Sequence, residues 1–131
     1  MTRPEHGTRQ PTLVDLGVLE TLESHLDDAR AAHAFVLDYI EGFAERFLRL
    51  NVALGDRDLP AAHDAALSLR SSSSMAGAPR LAAHAARLED AITHGDLQAS
   101  RQALALIGPC GLETVSELRS LYLNRVLQGS V

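Results

Sequence analysis

The chain has 131 residues, 46% of them hydrophobic but only 4% aromatic, with no Trp, one Cys and a formal net charge of -5. That is long enough for one core without disulfide or metal staples, and richer in Ala and Leu than in the β-branched and aromatic residues of sheets, so an all-helical single domain is expected. The acidic balance, with every basic residue an isolated arginine, speaks against nucleic acid as a partner; no apolar run is long enough for a membrane span or a secretory leader.

Residues 1–11 are polar, hold Pro4 and Pro11 and show no period, and read as a disordered arm. Thr12 and Asp15 resemble a capping box opening a short amphipathic helix through Val14, Leu19 and Leu22 that ends between His25 and Asp28. A long second helix follows, because Val36, Ile40, Phe43, Phe47, Leu50 and Leu54 recur at alternating spacings of four and three. Gly55-Asp56 ends it, and Asp56 or Asp58 can cap a third helix with Pro60 in its first turn. Leu59, Ala62, Ala66, Leu69, Ser73 and Ala76 repeat the same seam with smaller residues that permit close helix contact.

Gly77-Ala78-Pro79 makes a turn into a fourth helix, antiparallel to the third, through Leu81, Ala85, Leu88 and Ile92, which ends at His94-Gly95. Asp96 caps a fifth segment. Within it, Gly108-Pro109-Cys110-Gly111 predicts a kink or break, since Pro109 lacks a donor and crowds the preceding turn; helix should resume from Leu112 to about Leu127. The expected architecture is an antiparallel four-helix bundle with a short additional N-terminal helix, spanning 12–128. Cys110 reads as a small buried hydrophobe, and a single cysteine fits a reducing, cytoplasmic setting.

If the third helix turns Ala62, Ala66 and Leu69 inward, then His63, Leu67, Arg70 and Ser74 form the adjoining stripe, with Ser71 beside it. The run Leu67 to Glu89, LSLRSSSSMAGAPRLAAHAARLE, resembles the histidine-containing phosphotransfer domains of bacterial phosphorelays. Leu69, Arg70, Ser72, Gly77, Ala78, Leu81, Leu88 and Glu89 stand where that family's pattern puts them. Two positions depart: the phosphoacceptor histidine falls on Leu67, and a glycine falls on Ser71.

The resemblance implies a helical bundle that docks on a receiver domain or histidine kinase, and a face on which an imidazole would take the phosphoryl group while the basic residue one turn on steadies it. Leucine has no lone pair to offer, so a degenerate module without a catalytic residue is expected, with His63, Leu67, Arg70, Ser71 and Ser74 as the partner-binding face. Two alternatives stay open: transfer through His63 or His84 as a surrogate acceptor, and an interaction or homodimerisation bundle outside phosphorelays. His63 would sit ~6 Å along the helix from residue 67, a large error for in-line transfer. No metal-ligand spacing is found and no cofactor is expected.

Overall fold

The computed structural model describes residues 10–124. These form α1 (Leu16–Leu26), α2 (Ala29–Gly55), α3 (Leu59–Met75), α4 (Pro79–Thr93) and α5 (Leu97–Leu118), the last continuing as a π-helical turn over Arg119–Leu123. Helices α2 to α5 are joined by three-residue turns, and α5 returns against α2 to close the bundle, while α1 packs on α2 and the α3–α4 end. The all-helical bundle expected from the sequence is the one observed.

Local chemistry sets the helix starts. Asp28, Asp58 and Asp96 each stand just outside a helix and accept a hydrogen bond from a free N–H of its first turn; Pro60 and Pro79 occupy early positions where no N–H is needed. Gly77, between α3 and α4, has φ +73, and an added Cβ would lie 2.8 Å from the Asp15 carbonyl oxygen. Glycine is therefore required on two counts, conformation and close approach.

The core follows the predicted seams: Val36, Ile40, Phe43, Leu50 and Leu54 from α2, Ala62, Ala66 and Leu69 from α3, and Leu81, Ala85, Leu88 and Ile92 from α4 are buried together. Small α3 residues leave room for Tyr39 of α2, whose hydroxyl shares a 2.6 Å hydrogen bond with Ser73. Burial pushes the Tyr39 hydroxyl up to about 12, even with Ser73 and the Arg46 charge favouring ionisation. The Ser73 hydroxyl, buried in the α3 seam, is thus paired across the interface by the tyrosine.

Two expectations need correction. Thr12 opens no capping box: Asp15 itself caps α1, and residues 12–15 run alongside the α3–α4 turn. Their backbone groups are already used there, Arg80 N–H donating to the Thr12 carbonyl and Asp15 N–H to that of Gly77. The arm expected over 1–11 lies outside the described residues except for its end, where the Arg80 guanidinium donates to the Pro11 carbonyl. The C-terminal helix expected from Leu112 to about Leu127 is helical throughout the described residues, with a π-helical turn over Arg119–Leu123, and its expected end lies outside them.

The second correction concerns Pro109, which does not break α5. Proline orphans the carbonyl four residues earlier, that of Ala105, and both residues are exposed, so water can replace the lost donor. The flanking glycines serve packing: a Cβ at 111 would overlap the Phe43 ring, and one at 108 would lie 3.0 Å from Phe47 Cζ. Gly108 and Gly111 are notches that seat two α2 phenylalanines.

At the opposite end from the α2–α3 turn, three elements meet. Glu23 of α1 accepts hydrogen bonds from the Tyr122 hydroxyl and from His33 Nε2 at 3.3 Å, and the two rings pack edge to face at 5.2 Å. Burial and the Glu23 carboxylate hold the Tyr122 hydroxyl protonated well above its ordinary range.

Candidate functional site

The stripe predicted on α3 exists as a surface. His63 and Leu67 are half-buried, Arg70 is partly exposed, and Ser71 and Ser74 are exposed. Leu67 is thus partly covered, with the rest of its surface toward solvent.

Across the groove, α4 contributes Glu89, next to core Leu88 and mostly shielded. Its Oε1 accepts from Arg70 Nε at 2.7 Å, and its Oε2 lies 3.7 Å from His63 Nε2. One carboxylate therefore ties together the residues one turn before and one turn after Leu67. The Arg70 bond is short and charge-assisted, but the guanidinium keeps solvent contact, so the pair contributes about 1 kcal/mol or less to stability. Its larger effect is geometric: Arg70 is held against α4, and His63 is turned toward a carboxylate.

On the α2 side, Arg46 Nη1 donates to Ser72 Oγ at 3.0 Å, and its guanidinium lies 6.0 Å from the Tyr39 ring centroid. Arg46 and Arg49 line a groove of about 180 Å³ with Ala65 and Ser68 of α3. The four consecutive serines divide accordingly. Ser72 and Ser73 are engaged with Arg46 and Tyr39, whereas Ser71 and Ser74 face water.

His84 is not gathered into this cluster. It stands five residues before Glu89 on α4, roughly 140° away around the helix at 100° per residue. Its side chain is buried, and Nδ1 has no hydrogen-bond partner among the described residues. Burial lowers its pKa, with the Arg87 and Arg80 charges acting in the same direction, so the imidazole is neutral at pH 7. Among the described residues, no group of three His, Cys, Asp or Glu is placed to hold a metal ion, and no helix is long and apolar enough to cross a membrane.

Sequence reasoning assembled His63, Leu67 and Arg70 but omitted two partners. Glu89 was visible as a residue beside a core leucine, yet its pairing depends on the register between α3 and α4. Arg46 falls one position before Phe47 on the α2 seam, the location expected of a residue flanking the core. The face centres on Leu67, with Glu89 and its two partners on the α4 side, while Arg46 and Arg49 lie on the α2 side of α3 with Ser72, Ala65 and Ser68. Its centre carries no nucleophile, and the imidazole nearest to it faces a carboxylate.

A family model described as "Hpt domain" matches residues 17–128. No curated protein and no solved structure matches the chain.

Proposed function

This chain belongs to the Hpt domain family of phosphorelay signalling modules, and from that premise we infer that it is a docking member that no longer carries the phosphoryl group. The observation behind this reading is Leu67, at the centre of the α3 stripe, bracketed by His63 and Arg70, which both turn to Glu89. A leucine side chain accepts no phosphoryl group, and the neighbouring imidazole lies a full helical turn away from the position the family motif assigns to the acceptor. Domains of this family meet receiver domains and histidine kinases, and a half-buried leucine flanked on its own stripe by His63, Arg70 and the exposed Ser71 and Ser74 suits such an apolar contact with polar edges.

The test is calorimetric titration of the protein against purified receiver and kinase domains of its host. Binding weakened about tenfold or more by Leu67→Glu, without loss of helicity, is the expected result. Absence of binding to all of them overturns the docking role. Incubation with a phosphorylated receiver separates this reading from transfer through His63: an acid-labile phosphate that disappears in His63→Gln would assign the protein an active relay role instead.

A further inference from the structure

On the α2 side of α3 lies a half-buried cation with no carboxylate beside it. The helical neighbours of Arg46, three and four residues away on α2, are Gly42, Phe43, Arg49 and Leu50, none of them acidic. Across the groove α3 offers Ala65, Ser68 and Ser72, again without a carboxylate. Among the described residues Arg46 makes no ion pair; Ser72 Oγ accepts from its Nη1 at 3.0 Å, and the Tyr39 ring lies beside it. Ser72 can play that part because its own proton goes to the Ser68 carbonyl at 2.9 Å, which leaves the oxygen to accept. The guanidinium is therefore fixed in direction but not neutralised, and partial burial makes an anion beside it worth more than at an open surface.

Two further donors border the same groove. Arg49, one turn along α2, supplies a second guanidinium, and Ser68 an exposed hydroxyl. Arg49 also meets Glu45 at 3.5 Å, but those side chains are 68% and 76% exposed, so little is lost when the pair opens. Asp64, one turn before Ser68, is exposed and does not line the groove. The volume of about 180 Å³ falls below the ~300 Å³ at which pockets for drug-sized molecules begin, so the groove suits a small ion rather than a nucleotide. Two positive charges with forked N–H donors match a dianion of several oxygens better than a single carboxylate. We propose that Arg46, Arg49 and Ser68 form a binding site for a free, phosphate-sized dianion in the α2–α3 groove. The site is distinct from the Leu67 face and does not depend on its docking role.

Titration of the full chain with inorganic phosphate, followed by NMR of the backbone amides and arginine Nε–H groups, tests this, with chloride keeping the ionic strength constant. Saturating shifts at Ser68, Ser72 and the Arg46 side chain are expected in the millimolar range, and acetate should produce far smaller ones. Arg46→Gln should weaken phosphate binding at least about tenfold. Arg46→Lys, which keeps the charge but loses the fork, should fall between that variant and the wild type. Should Arg46→Gln disturb the fold through Ser72 and Tyr39, the exposed Arg49→Gln carries the test, with binding weakened about threefold. Arg30→Gln removes a charge that is 92% exposed and does not line the groove, and should change nothing. Shifts that never saturate, that acetate reproduces at equal concentration, or that survive both Arg46→Gln and Arg49→Gln overturn the proposal without touching the docking role of Leu67.

Discussion

Leu67 differs from a histidine by more than the loss of a ring nitrogen, because the side chains around it have a stable arrangement without one. Arg70 and His63 share the two oxygens of Glu89. If the docking geometry is retained, Leu67→His combined with Ser71→Gly should let a phosphorylated receiver deposit an acid-labile phosphate, measured by phosphoprotein gel before and after acid treatment. Failure of that double variant to accept phosphate, with binding intact, would place the incompatibility in the Glu89 arrangement rather than at residue 67 alone. Tyr39 and Ser73 offer a cleaner energetic test at the same scale. Tyr39→Phe leaves a buried Ser73 hydroxyl unpaired and should cost about 1–2 kcal/mol by urea denaturation, whereas adding Ser73→Ala should cost less than the sum of the two single changes.

At the scale of the element, α5 separates what local sequence reveals from what it hides. Alternating four- and three-residue spacing made α2, α3 and α4 legible, down to the inward positions of Ala62, Ala66 and Leu69, because that period encodes the buried side of a helix whatever it packs against. Gly-Pro-Cys-Gly reads as an interruption by the same local logic, and it fails because the glycines answer to Phe43 and Phe47 on another helix. Glu89 was hidden for the same reason, since its role rests on the offset between α3 and α4. Gly111→Ala should consequently destabilise the fold by roughly 3 kcal/mol through overpacking, while Gly55→Ala, with nothing near the added Cβ, should stabilise it by about 0.5–1 kcal/mol; denaturation midpoints at constant slope would show both. Pro109→Ala, on the exposed side, restores a donor to the Ala105 carbonyl and should raise the midpoint as well.

For the whole molecule, two features govern response to conditions. His84 is buried and has a lowered pKa when folded, so below its unfolded value of about 6.5 the unfolded chain binds more protons than the native one, and stability falls as pH drops through that value toward the folded pKa. His84→Leu should flatten that portion of the stability–pH curve between pH 7 and 5, and an unchanged slope would contradict the assignment. Arg80 fastens residues 11 and 12 to the α3–α4 turn through its side chain and backbone. Arg80→Ala should raise hydrogen exchange selectively at the start of the described chain, around residues 12–15, leaving α1 anchored by buried Leu19 and Leu22 and α2 to α5 protected.

The Tyr122–Glu23 hydrogen bond joins positions 99 residues apart. It also brings the π-helical turn at the end of α5 against the C-terminal half of α1, a helix about 16 Å long at 1.5 Å per residue. Opening the chain in the turn at Asp56-Arg57 and joining α5 back to α1 through an added flexible linker would give a circular permutant with the same α3–α4 hairpin, its Leu67 face displayed from a different point of attachment.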